Sequence, residues 1–121
     1  MKLFKIINAI PALNKLGNSD MKISEAYKLQ KLLSAMQVEI EFFNRSQLKI
    51  IEENGVIQEN GEFLIAEDKR AIYAKAMEEL AQTDVEPEFS RMKISTSENI
   101  QISANDIGVL EPFVEFAEGG E

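Results

Sequence analysis

Apolar residues at the start of the chain recur at helical spacing. Leu3, Ile6, Ile7, Ile10, Leu13 and Leu16 fall on one side of a 3.6-residue period. Pro11 interrupts the run, removing a backbone donor and crowding the turn before it. The pattern therefore predicts a kinked helix over 3–16, or a short helix followed by a second turn that starts at the proline. Gly17-Asn18-Ser19-Asp20 ends it. A much longer pattern follows. Residues 24–54 contain neither Pro nor Gly, and a 4-3 repeat runs through Ala26, Leu29, Leu33, Met36, Ile40, Phe43, Gln47 and Ile50. A flanking row of Leu32, Phe42, Leu48 and Ile51 widens the stripe beyond a two-position seam. A helix of about 31 residues spans roughly 46 Å, more than a compact domain of this size is wide. It must project, or be covered by several shorter elements.

Asn54-Gly55 supplies the expected helix stop. Residues 56–65 then read as a β-hairpin, with Asn60-Gly61 giving the two positive φ angles of a type I′ turn. A third helix is expected over 67–82. Glu67 and Asp68 lie in its positive first turn, and Ala71, Ile72, Ala76 and Leu80 form its buried side. Pro87 makes the start of 84–102 extended. Met92–Ile94 and Ile100–Ile102 alternate around Ser95–Asn99, as a second small hairpin or a pair of edge strands. Ser103 and Asp106 have the spacing of a helix cap. Ile107, Val109, Leu110, Phe113, Val114 and Phe116 predict a last apolar helix over 104–116, or a pair of turns around Pro112. The fold class is α+β and mainly helical, in a single domain of 121 residues: a long amphipathic helix, a β-hairpin and a shorter antiparallel helix, closed by small C-terminal strands and a terminal helix.

Charge divides the chain. Residues 1–50 hold eight Lys/Arg and four acids, whereas residues 51–121 hold five Lys/Arg and seventeen acids. The halves attract, either within one fold or between opposite ends of two copies. The net charge of −8 argues against a direct nucleic-acid partner. Lys28, Lys31, Arg45 and Lys49 read as the solvated side of the long helix, because no exposed aromatics interleave with them.

The chain has no Cys and no His, which excludes disulfides, thiolate chemistry, Cys/His metal sites and His-dependent catalysis. Carboxylates are all that remain for acid–base work. The pairs Glu52/Glu53, Glu78/Glu79 and Glu86/Glu88 read as solvated surface. Asp84, Glu86 and Glu88 share one side of an extended segment but lack the glycine and distal acid of a calcium loop. No catalytic, cofactor-binding or metal residue is assigned. No segment has the apolar length of a membrane span and no signal-peptide cleavage site follows the N-terminus, so a cytoplasmic protein is expected.

The phrases Ile7–Leu16 and Ala26–Leu33, together with Ile100–Ile107 and Leu110–Glu115, resemble small phage and prophage proteins of unknown function. That resemblance covers most of the chain and implies a phage-encoded protein of the host cytoplasm or the virion. It brings no chemical motif. The helix–hairpin–helix order also looks like subunits of prefoldin-type chaperones, with a shorter second helix and extra flanking elements. The expected function is a non-enzymatic protein-interaction module, a phage structural or assembly factor that self-associates. Leu33, Met36, Ile40 and Phe43 are its candidate contacts. The alternative is a phage inhibitor that binds a host protein through Glu78, Glu79, Asp84, Glu86 and Glu88. Phe113 and Phe116 could anchor a terminal docking peptide or pack on the long helix.

Overall fold

The computed structural model describes residues 1–95 and 100–117. The fold is α+β and mainly helical. Helix α1 spans Leu3–Gly17 and runs unbroken through Pro11. The proline is exposed, so its missing donor lies on the solvent side. The buried side reads Leu3, Ile6, Ala9, Ala12, Leu13 and Leu16. Two alanines stand where Ile7 and Ile10 were expected, and the isoleucines are half-buried. Small residues let α1 lie close against its neighbours.

Helix α2 covers Ile23–Asn54, about 48 Å at the standard rise. Its first half enters the core through Leu29, Leu32 and Met36, which pack with α1 and with apolar residues from the C-terminal part of the chain. Beyond Met36 only Ile40 still packs against that core, and the helix continues as an arm. Strands β1 (Gly55–Ile57) and β2 (Phe63–Ile65) pair antiparallel. A single 3-10 turn, Glu67–Lys69, leads into α3, Arg70–Ala81, which packs back along α2. The covered side of α3 is Tyr73, Ala76, Met77 and Leu80, while Ala71 and Ile72 face solvent. Both sets satisfy helical spacing, and the periodicity of α3 alone did not select between them.

The hairpin turn differs from type I′. Gly61 has φ 86°, and among the described residues no non-glycine residue has positive φ. The Gly61 amide donates to the Gln58 carbonyl at 3.0 Å, and Gln58 donates to Glu62 at 2.7 Å. This is a three-residue loop with one left-handed residue, which Gly61 supplies. Asn60 instead accepts the Glu62 amide with its side chain, at 3.0 Å. Helix α2 stops at Asn54, with Gly55 as the next residue, as expected. Gly55 is extended, at φ −165°. The helix end is satisfied from outside: the Ala66 amide donates to the Asn54 carbonyl at 3.0 Å, and Lys69 Nζ donates to that of Glu53 at 3.3 Å. Buried Asn54 donates its amide back to Ile50 at 2.8 Å.

The C-terminal part departs most from expectation. Strand β3 (Met92–Ser95) pairs in parallel with β4 (Val114–Ala117), in the register Met92↔Val114 and Ile94↔Phe116. Residues 100–102 join no strand, and 96–99, the expected loop of a second hairpin, lie outside the described residues. Helix α4 is only Ala104–Leu110. Pro112 brings no amide donor, a turn follows α4, and Val114 and Phe116 continue as alternating strand positions. Phe113, Val114, Leu110, Met92 and Ile94 complete the core. The first residues of the chain pair with the segment that follows α3: Leu3 donates to Thr83 at 2.8 Å and Val85 to Met1 at 2.9 Å.

Both ion pairs among the described residues, Lys2–Asp84 at 3.1 Å and Lys15–Asp106 at 2.9 Å, join the basic half of the chain to the acidic half. The expected Ser103–Asp106 capping box is present, each side chain accepting the other residue's amide at 3.1 Å. The Lys15 ammonium, and then the Ser103 amide, hold the Asp106 carboxyl below its ordinary value. Its folded pKa is thus lower than its unfolded one. Its support is complete above the usual carboxylate range, about pH 4, and is lost as pH falls through the lower folded value. Asp106→Asn is expected to melt below the wild type at neutral pH, with the two melting temperatures drawing together as pH falls below the usual carboxylate range. A gap of constant size throughout that fall would show that the carboxylate charge contributes nothing.

Candidate interaction surfaces

Two helices can cover each other on one side only, and the arm shows the consequence. Val38, Phe42 and Leu48 on α2 are 67%, 41% and 46% exposed, and Ile72 on α3 is 60% exposed. At the tip, cross-strand partners Val56 and Leu64 are 62% and 58% exposed. Phe63 on the other hairpin face lies 6.3 Å from the Tyr73 ring, which fastens the hairpin to α3. Most of the large apolar side chains left in solvent lie between residues 38 and 72, so the exposure is a property of the arm.

The expected contacts on α2 sit elsewhere. Met36 is fully buried, and Leu33 and Ile40 pack against the same core. Phe43 is half-buried on the arm. Met36 therefore has no surface to offer a partner, because α1 and the β3–β4 sheet occupy that stretch of the stripe. Of the flanking row, Leu32 and Ile51 are buried and Phe42 and Leu48 are exposed; Val38, exposed one turn before Phe42, belongs to neither row.

The expected acidic residues Glu78, Glu79, Asp84, Glu86 and Glu88 are all exposed. Along 84–89 exposed Asp84, Glu86 and Glu88 alternate with half-buried Val85, Pro87 and Phe89, as an extended segment lying on a core requires. Asp84 is held by Lys2. Among the described residues no group of three or more acids comes together as a metal site: alternate residues on a strand are separated by about 6.5 Å. None of the acidic pairs lies in a buried environment that would separate two carboxylates into acid and base roles.

The same extended segment forms a cleft of about 620 Å³ with α2, running between Lys28, Lys31 and Leu32 on one wall and residues 88–93 on the other. Arg91 is fixed there by donating Nε to the Glu111 carbonyl at 2.8 Å and Nη2 to that of Val114 at 3.4 Å. Lys31 Nζ stands 5.4 Å over the ring of Tyr27, a cation–π distance. Buried Leu32 and Met92, with half-buried Phe89, supply apolar surface. The sequence reading left Lys28 and Lys31 as solvated charges and did not join them to Arg91 and Lys93, about sixty positions away.

No family model, curated protein or solved structure matches the chain. Its surfaces therefore carry the functional reading. No helix among the described residues is long and apolar enough to cross a membrane, so the exposed apolar side chains of the arm are not part of a helical membrane span.

Proposed function

We propose that the protein is a non-enzymatic interaction module that self-associates through its arm. One observation carries the reading: large apolar side chains of the arm, Val38 and Phe42 on α2, Ile72 on α3 and Val56 and Leu64 at the hairpin tip, are uncovered although the core at the other end of α2 is complete. A monomer has no reason to hold such a patch, whereas an interface between copies would bury it. The two-stranded hairpin adds unpaired strand edges at the same end of the molecule. The resemblance to phage proteins supports a narrower version, a structural or assembly factor of a phage.

Burying a Val or a Phe contributes roughly 1.5–3 kcal/mol. Val38→Glu combined with Phe42→Glu is therefore expected to weaken association by about a hundredfold or more. Light scattering after size exclusion should show a dimer or larger species for the wild type and a monomer for the variant, with unchanged circular dichroism. A wild-type monomer at both low and moderate salt would overturn self-association. The outward row of Asp84, Glu86 and Glu88 favours the second reading, capture of a basic host protein. That reading requires an affinity that falls steeply with salt.

A further inference from the structure

The cleft between α2 and residues 88–93 gathers Lys28, Lys31, Arg91 and Lys93 against one acid, Glu88, in a protein whose net charge is −8. These cations remain available to a ligand. The ion pairs among the described residues involve Lys2 and Lys15. Glu25, one turn before Lys28, is turned to the Ser95 amide at 2.8 Å. Arg91 is engaged by carbonyl oxygens, which orient its charge without neutralising it. Lys93 faces Glu115 across the ladder, which makes Lys28 and Lys31 the strongest anion-seeking pair. They stand three residues apart on one helix, about 5–6 Å between Cβ atoms.

We propose that this cleft docks an extended acidic peptide segment of a partner protein. Carboxylates meet Lys28, Lys31 and Lys93, and an apolar side chain rests on Phe89, whose ring is backed by Phe113 at 5.4 Å. Charge selects the occupant. A nucleic-acid strand long enough to gain from its phosphates would extend past the cleft toward Asp84 and Glu86 on the exposed side of the same segment, where it needs a cationic surface, whereas a short peptide segment ends within the cleft. A lone small anion would be held by solvent-exposed lysines that water screens. A segment with several carboxylates and an apolar anchor adds modest contacts along a groove, as extended-peptide sites do. Tyr27, 61% exposed beside Lys31, extends the apolar surface on the helix side.

The site is separate from the arm, so its failure and that of self-association are distinguishable. The probe is a fluorescein-labelled synthetic peptide, acetyl-Glu-Glu-Phe-Glu-Glu-amide, titrated with the full chain at low salt and followed by anisotropy. Its all-lysine counterpart and a labelled oligothymidylate are run in parallel. Saturable binding of the acidic peptide at about 100 µM or tighter is expected, and it should weaken with added salt. Lys28→Glu with Lys31→Glu should weaken it by at least about tenfold, whereas Lys5→Glu with Lys75→Glu, an equal charge change at other exposed sites, should stay within about twofold. Solution mass should not change with the cleft variant. Lys93→Glu alone serves as the second variant should the double one fail to fold. Absence of saturable binding, equal weakening by the control variant, or tighter binding of the lysine peptide overturns the proposal. Tighter binding of the oligothymidylate overturns it too, assigning the cleft to nucleic acid.

Discussion

Replacing Phe113 by alanine is expected to remove about 4 kcal/mol of stability. The ring is fully buried among Leu110, Val114 and Met92 and stacks on Phe89 at a tilt of 38°, a contact that adds to simple burial. Its backbone is a junction as well. The amide donates to Leu110 at 2.8 Å, closing the turn after α4, and the carbonyl accepts from Met92 at 3.0 Å, starting the parallel ladder. Truncation leaves these bonds in place and opens a void beneath β3 and β4 that close-packed neighbours refill only in part. A small domain has a total stability of about 5–15 kcal/mol, so urea unfolding should show a much lower midpoint with an unchanged slope. A terminal docking peptide makes the opposite demand, since an exposed anchor truncates at little cost to folding. Wild-type stability in Phe113→Ala would return the residue to the surface.

How far the sequence could be read depended on whether a signal was local. The stripe from Leu29 to Ile50 was legible because one face of one helix stays covered along its length, first by α1 and the sheet, then by α3. The Ser103–Asp106 cap was legible for the same reason, being a contract between residues three apart. The β3–β4 ladder was hidden. Parallel pairing joins Met92 to Val114 across a crossover, and no adjacent turn announces it. Val114 and Phe116 also fall on helical spacing with Leu110 and Phe113, so strand and helix competed for the same residues, and tertiary pairing decided between them. The cleft was out of reach for a related reason: its two walls meet only after the segment following α3 folds back beside α2.

Partner surface was harder to read than core. Periodicity finds the side of a helix that is covered, and the candidate contacts Met36 and Ile40 were chosen from that side. An interface between copies uses apolar residues left over when the core is full. On α2 the large apolar residues left exposed are Ile23, Tyr27, Val38, Phe42 and Leu48, and the proposed interface takes those of the arm, visible only once the reach of α1 and α3 along the long helix is known.

Gly55→Ala tests the root of the arm, where α2 becomes β1, and about 3 kcal/mol of destabilisation is expected. The cause is contact rather than backbone strain, because φ −165° and ψ −160° are open to any residue. A Cβ on Gly55 would overlap the Leu64 carbonyl oxygen, and it would stand 2.9 Å from the carbonyl carbon and 3.0 Å from the Ile65 Cα. These are backbone atoms with no side-chain rotation to relieve them. The strands must separate at the Gly55↔Ile65 pair, beside the Ala66–Asn54 bond that finishes α2. Gly61→Ala makes the comparison. It has open space around it but a φ of +86°, so its cost is conformational, about 1 kcal/mol. Hydrogen exchange should then locate the Gly55 damage, with faster amides in the hairpin and α3 and unchanged protection in α1 and the β3–β4 sheet. A milder effect at Gly55 than at Gly61 would mean that β1 and β2 do not approach this closely. Uniform loss of protection would instead make the arm and the core one cooperative unit. In that case the exposed row on α2 would be maintained by the same packing that buries Phe113.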